Sequence, residues 1–231
     1  VSDHTQTNWN GVIGDLSLRV RPTLYIDHVR LDPDAGQKKV LVRVCLAGKT
    51  DSADGELLLQ AENSDGTPVG KAVRLTAEKG NQELRAEVDL GDQVRLWSAE
   101  TPDLYRMRVT LNTPQGADEQ IVSFGFRDFR AQGTRFEING RPVFLRGTLE
   151  CCVFPLTGYP AMDKDYWKKI YGKCKEYGLN HVRFHSWCPP EAAFPWQTVW
   201  DYICRWSVVP GQRSEVACRR MNGSVRKEIA F

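Results

Sequence analysis

Val40-Leu41-Val42-Arg43-Val44-Cys45-Leu46 decides the fold of most of this chain. Val40, Val42, Val44 and Leu46 fall on one side of an extended backbone and Leu41, Arg43 and Cys45 on the other. That two-residue period describes a strand with one face in a core and one in water. It returns at Leu84, Ala86, Val88 and Leu90, set against Glu83, Arg85, Glu87 and Asp89. It returns again at Met107, Val109 and Leu111, set against Arg106, Arg108 and Thr110. Turn signals stand between such runs: Asp34 to Gly36, Asp54-Gly55, Asp65-Gly66, Lys79-Gly80-Asn81 and Gly91-Asp92. Turns about every ten to fifteen residues, with no long helical stretch, predict an antiparallel sandwich of roughly seven strands between Pro22 and Arg127.

The grammar changes after the sandwich. Phe136-Glu137-Ile138, then Asn139-Gly140, then Arg141-Pro142-Val143-Phe144 predicts a hairpin, because a type I′ turn needs positive φ at both central residues and Asn-Gly accepts it. A strand over Val143 to Leu149 leads into a loop rich in Pro and Gly. A helix then runs from about Lys164 to Tyr177, with Asp163 as its cap, Trp167, Ile170, Cys174 and Tyr177 as its apolar face, and Gly178 as its stop. A second strand follows at Asn180 to Phe184. Strand, helix, strand with short joins is the repeating unit of a parallel sheet, open or closed into a barrel.

Candidate chemistry gathers on these two strands. His181, Arg183 and His185 alternate with Val182 and Phe184, and Arg146, Thr148 and Glu150 share parity on the first strand. In a barrel the carboxyl ends of the strands line the active-site mouth, so Glu150, Arg183 and His185 are the candidate substrate contacts. The plain alternative is a buried polar network closing the core, which is the better account of Arg146. Acid/base work by a pair of carboxylates would need a partner for Glu150, and none is evident. Glu191, after Pro189-Pro190, reads instead as a first-turn helix residue whose charge suits the helix dipole.

Composition narrows the function classes. The chain has 231 residues, 41% of them hydrophobic, and its net charge is only +2. Such a balance gives no electrostatic argument for nucleic acid or an anionic membrane. No stretch approaches the roughly 20 apolar residues of a membrane-spanning helix, and the polar start lacks a signal-peptide pattern. The absence of an initiator Met makes this an expected internal piece of a longer protein. Seven cysteines without a CxxC pair read as buried thiols. Cys151-Cys152 near His181 and His185 lacks the ligand spacing of a zinc site, so no metal and no cofactor is expected.

Leu96-Trp97-Ser98-Ala99-Glu100-Thr101-Pro102-Asp103-Leu104-Tyr105 resembles the LW-x-x-x-x-P-x-LY signature of family 2 glycoside hydrolases, the β-galactosidase, β-glucuronidase and β-mannosidase group. Gly125-Phe126-Arg127, followed by Ile138 to Gly147, resembles that family's passage from an immunoglobulin-like domain into its barrel. Gly178 to His185 resembles its second barrel strand, and Asn8-Trp9-Asn10-Gly11 the end of its amino-terminal jelly roll. The resemblance implies a mainly β chain with an α/β start: residues 1–21 as the tail of a jelly-roll sugar-binding domain, 22–128 as an immunoglobulin-like β-sandwich, and 129–194 as the opening βαβ portion of an incomplete (β/α)8 TIM barrel. It also implies a carbohydrate substrate, and a catalytic Glu pair on later strands that cannot be carried over onto any residue here. Where the family often has an Asn and a His-Glu pair after the glycine of strand one, this chain has Thr148, Leu149, Glu150, Cys151 and Cys152, so sugar specificity is not assigned. The sequence fixes neither compartment nor oligomeric state; the resemblance suits a periplasmic or secreted setting.

Residues 195–231 break the pattern. They hold three of the seven tryptophans and six basic against three acidic residues, with no helical period where a second barrel helix is due. Taking the third base of each codon with the first two of the next forces Ala at Trp196-Gln197, Gly at Trp200-Asp201 and Leu at Asp201-Tyr202. One permitted reading is SVADRLGLYMQVECGAWSE, which has the family's form of a helix followed by a third strand. The segment is therefore expected to be an out-of-frame, poorly ordered tail, the alternative being a genuinely divergent end. The expected function is a fragment of a retaining glycosidase, inactive as written. Its competitors are a non-catalytic carbohydrate-binding or interdomain sandwich module and a complete two-domain α+β protein.

Overall fold

The computed structural model describes residues 16, 18, 20–50, 54–185, 189–194 and 203–207, with backbone only for His185 and for residues 203–207. The chain is mainly β and divides into two compact units at about Pro142. The first unit is built on seven strands: β1 (Leu24–Asp34), β2 (Lys39–Gly48), β3 (Gly55–Asn63), β4 (Pro68–Ala77), β5 (Glu83–Asp89), β6 (Tyr105–Thr113) and β7 (Gly116–Phe124). They form two antiparallel sheets, ordered β1-β2-β5 and β4-β3-β6-β7. Val40, Val42 and Val44 from one sheet and Met107, Val109 and Leu111 from the other are completely buried, as the period-two pattern requires. Each such side chain contributes about 1.5 to 3 kcal/mol relative to exposure.

Polar side chains close the sandwich where the two sheets meet. Ile26 of β1 donates its backbone N–H to Asp118 of β7 at 2.8 Å, and its carbonyl accepts from Gln120 at 2.7 Å. A bulge between Ile26 and His28 turns β1 at this point, so side chains supply the partners that a continuing ladder would have given. On the outer face of the larger sheet, Arg108 forks onto Glu62 at 2.6 and 3.2 Å and reaches Glu119 at 2.8 Å. These two carboxylates hold the guanidinium's pKa above even its ordinary high value.

A small antiparallel meander follows, of β8 (Phe129–Gln132), β9 (Arg135–Ile138) and β10 (Arg141–Val143). Asn139 and Gly140 have φ of 51° and 75°, the pair of positive values that the β9–β10 turn demands.

The second unit holds β11 (Gly147–Glu150), α1 (Lys164–Glu176), β12 (His181–His185) and β13 (Ile203–Ser207), with strand order β11-β12-β13 and both pairings parallel. Asp163 caps α1 by accepting from the Tyr166 N–H at 2.8 Å. At the other end Gly178 N–H bonds the Lys175 carbonyl and Leu179 N–H the Cys174 carbonyl, the paired closure of a Schellman motif. Two sequence expectations need correction here. The buried helix face is Trp167, Tyr171 and, in part, Cys174, whereas Ile170 and Tyr177 are exposed. Steps of four and three from Trp167 keep to one stripe of a 3.6-residue helix, while the series through Ile170 to Tyr177 drifts off it. Secondly, β13 extends the parallel sheet inside the span read as a poorly ordered tail; the rest of that span lies outside the described residues.

The cysteines also differ from expectation: Cys152 is buried, but Cys45, Cys151 and Cys174 are only half-buried. Among the described residues, no helix is long and apolar enough to cross a membrane.

Candidate functional site

The register between β11 and β12 is set at their amino ends. Asn180 accepts from the Arg146 N–H at 2.8 Å and donates to the Phe144 carbonyl at 3.1 Å, while its own N–H reaches the Arg146 carbonyl at 2.9 Å. Arg146 adds a bond from Nε to the Gly178 carbonyl at 2.8 Å, which makes it a structural clamp at the end of the sheet opposite the candidate site. Gly147 then pairs with His181, and a side chain at Gly147 would stand 2.7 Å from the His181 ring.

That register decides which residues share a face. Gly147 is level with His181, Thr148 with Val182, Leu149 with Arg183 and Glu150 with Phe184. Neighbours level with each other in a parallel pair point to the same side of the sheet. Glu150 therefore shares the face of Val182 and Phe184, whose side chains are buried with Trp167 and Tyr171 of α1. Arg183, exposed, shares the opposite face with Leu149 and His181. The strands are parallel neighbours as the sequence predicts, but Glu150 and Arg183 do not converge on one side. Parity within a strand says nothing about the offset between strands, and the Asn180 clamp fixes that offset. The His185 side chain lies outside the described residues.

Glu150 is half-buried. Its Oε1 accepts from the Cys152 N–H at 3.0 Å, so the carboxylate folds back over the end of its own strand. Cys152 takes φ of 62°, a left-handed conformation rare for a residue with a Cβ. Tyr166 on α1 senses the same carboxylate: burial first, then the charges of Glu150 and Asp163, pushes its phenol above the usual tyrosine range. Sequence reading missed Tyr166, whose place in the first turn of α1, three residues after the cap, was the available signal. It also missed Asn180, the residue that sets the register. Among the described residues, no group of three His, Cys, Asp or Glu side chains is placed to hold a metal ion.

Three separated motifs meet elsewhere, on the sandwich. Trp97 donates its backbone N–H to the Phe126 carbonyl at 2.8 Å, and its own carbonyl accepts from Asn139 Nδ2 at 2.8 Å. Tyr105 closes the first motif by accepting the Arg95 N–H at 2.9 Å, with its ring packed against Phe124 and Phe126. These residues bind one another, so the signature is a structural joint. Residues 24–127, the span holding most of that joint, match the model of the glycosyl hydrolases family 2.

The sandwich is thus similar to the family 2 glycosyl hydrolase domain. The chain is 27% identical over 192 residues to a β-galactosidase of Oenococcus oeni, covering 78% of this chain and 18% of that protein. It is 28% identical over 221 residues to a β-galactosidase of Erwinia tasmaniensis, covering 88% of this chain and 20% of that one. It thus spans about a fifth of the length of the curated relatives it matches. Among solved structures it resembles a β-glucuronidase of Bacteroides uniformis with a TM-score of 0.68 at 20% identity, over 83% of this chain and 25% of that one. A β-glucuronidase of Ruminococcus gnavus in complex with D-glucuronic acid gives 0.63 at 19% identity, over 81% of this chain and 30% of that one. At these identities the structural likeness establishes the fold.

Proposed function

We propose that this chain supplies the immunoglobulin-like sandwich (22–128) and the opening strands of the catalytic barrel (129–194) of a retaining β-glycosidase that removes terminal sugars from oligosaccharides or glycoconjugates. The observation that carries this reading is the parallel pairing of β11 with β12, with α1 between them in sequence, in a chain whose curated relatives are β-galactosidases. In a closed barrel the face of β12 away from α1 points inward, which would turn Arg183 toward the axis and bring His185, at the carboxyl end, to the mouth. There a guanidinium can donate to sugar hydroxyls or neutralise a carboxylate. Glu150 lies at the carboxyl end of β11, where it would hold the first βα loop in place and contact substrate from the rim.

Retaining chemistry needs an acid/base and a nucleophile about 5 to 5.5 Å apart. β11 and β12 carry one carboxylate between them, Glu150. The catalytic pair is therefore assigned to strands beyond these two, and the 231-residue chain alone is proposed to be inactive. The segment 195–231 is proposed to be out of frame, and residues 1–21 to end a jelly-roll domain. The turn of Glu150 toward the α1 face favours one alternative, a non-catalytic carbohydrate-binding or interdomain module.

The test is hydrolysis of a panel of aryl β-glycosides by the 231-residue chain and by a version restored to the alternative frame and extended to a full barrel. Turnover by the restored protein alone is the expected result. Turnover by the short chain that is lost on Glu150→Gln overturns the placing of the catalytic pair, and inactivity of both overturns the enzyme reading in favour of the module.

A further inference from the structure

The loop between β11 and α1 opens on two adjacent thiols, Cys151, half-buried, and Cys152, buried. Among the described residues, Lys38, Asn139 and Cys152 are the non-glycine residues with positive φ. Lys38 and Asn139 stand in the tight β1–β2 and β9–β10 turns, whereas Cys152 follows a parallel strand and closes no hairpin. Its φ of 62° is held instead by the bond that Glu150 Oε1 accepts from the Cys152 N–H at 3.0 Å. That conformation changes what two neighbouring side chains can do. In an extended strand, with φ near about −120°, successive Cβ atoms point to opposite faces. Cys152 is turned about half a revolution from there, which carries its Cβ toward the side on which the Cys151 Cβ stands. The peptide between them is trans and fixes their Cα atoms about 3.8 Å apart, so the direction of the two Cβ bonds decides whether the sulfurs can join.

We propose that Cys151 and Cys152 are a redox modification site, which a small-molecule disulfide of the oxidised-glutathione class closes into a vicinal disulfide ring. Exposure sets the order of events. The half-buried Cys151, as thiolate, attacks the small disulfide, breaks its S–S bond and releases one thiolate. That thiolate takes up the Cys152 proton. The Cys152 sulfur then attacks the Cys151 sulfur of the mixed disulfide, which forms the ring and releases the second small thiol. Two cysteine thiols are thus oxidised by two electrons, and one disulfide is reduced to two thiols. The ring spans a shorter Cα separation than the usual disulfide range of about 4.4 to 6.8 Å. Strained disulfides are the more easily reduced ones, so a small thiol reverses the modification. Ring closure fixes the chain where it leaves β11, at the residue that Glu150 holds. The chemistry uses these two cysteines and Glu150 alone and is independent of the glycosidase reading.

The test exposes the folded 231-residue chain to oxidised glutathione, blocks the remaining thiols with iodoacetamide in urea, and weighs tryptic peptides without reductant. Cleavage after Arg146 and Lys164 isolates both thiols on one peptide, Gly147 to Lys164, which holds no other cysteine. The expected product is that peptide unalkylated and lighter by two hydrogens, returned to two alkylated cysteines by prior treatment with dithiothreitol. Its yield should fall severalfold when the chain is oxidised in urea, and likewise in Glu150→Ala. Cys152→Ser should stop at the mixed disulfide, with glutathione on Cys151, and Cys151→Ser should leave the buried Cys152 unmodified. Circular dichroism checks the fold of each variant; if Glu150→Ala unfolds, the comparison of folded and urea-treated parent still decides. Alkylation of both cysteines after oxidation overturns the site. Cys174 packs against the same core cluster as Cys152, so a link from either cysteine to the peptide carrying Cys174, or to a second chain, overturns the vicinal pairing. Equal ring yield in folded and urea-treated chain overturns the folded site, because the reaction then belongs to the bare sequence.

Discussion

The guanidinium of Arg127 lies over the ring of Trp97, 4.7 Å from its centre. The two residues belong to motifs thirty positions apart in the chain, and a third motif joins them through Asn139, which donates to the Trp97 carbonyl and accepts from the Asp128 N–H at 2.9 Å. Stacking of this kind is worth about 0.5 to 1 kcal/mol at an exposed site. The joint sits where the last sandwich strand leads into the β8–β10 meander, so it fixes the path of the chain as it leaves the sandwich.

Asn139→Ala removes both side-chain bonds and places a Cβ residue without Asn's tolerance at φ of 51°. A loss of about 1 to 3 kcal/mol follows from the bonds alone. Asn139→Gly separates the two effects, since glycine accepts the turn but makes neither bond. Urea unfolding of both variants measures them, and equal stability of alanine variant and parent would refute the joint.

Gly147→Ala sets a methyl 2.7 Å from the His181 ring and 3.1 Å from the His181 carbonyl oxygen. The ring can swing aside, but the carbonyl belongs to the ladder, so we expect a loss of about 1 to 3 kcal/mol. Adding His181→Ala should recover part of it. A double variant whose loss equals the sum of the single losses would show that the two sites do not touch.

The Tyr166 phenol is held above its ordinary value of 10.0 by burial and by Glu150 and Asp163. The native state thus keeps a proton that the unfolded chain has already lost, and its stabilising contribution is complete below 10.0 and declines as pH rises through the folded value. Tyr166→Phe should remove that component of alkaline destabilisation, and Glu150→Gln should bring the phenol's titration back toward the ordinary value. Tyrosinate absorbance, read as the difference between parent and Tyr166→Phe, checks both. An unchanged titration in Glu150→Gln would mean that the carboxylate does not reach the ring.

Met107→Ala empties a fully buried position on β6 and should cost about 2 to 5 kcal/mol. Thermal unfolding gives the value. Thr110, an outward residue of the same strand, exchanged for Ala, should change stability by well under that amount.

The sandwich was legible because burial and a two-residue period are the same fact seen in space and in sequence. Val40 to Leu46 and Met107 to Leu111 could point inward only in alternation. The Asn139-Gly140 turn and the Asp163 and Gly178 ends of α1 were legible for an equally local reason, since each is a backbone conformation written into one or two residues. The candidate site was less legible because its layout depends on relations between elements. Whether Glu150 faces Arg183 depends on an offset fixed by Asn180, thirty residues away. The helix face was misread at Ile170 and Tyr177, which were chosen for their apolarity, whereas Tyr171, one turn on from Trp167, is the residue that packs with Phe184 and Val182.

The Asn139-Gly140 turn also makes the protein subject to chemical ageing. An asparagine before glycine loses its amide readily when the following backbone nitrogen can reach the side-chain carbonyl carbon. In the folded chain that carbonyl is engaged by Asp128 and the amide nitrogen by Trp97, which holds the group in place. In the unfolded chain nothing does. The aspartate or isoaspartate formed there has no amide to donate to Trp97, so molecules that have spent longest unfolded refold with a weakened joint. Time spent unfolded is in this way recorded as covalent damage at one peptide bond.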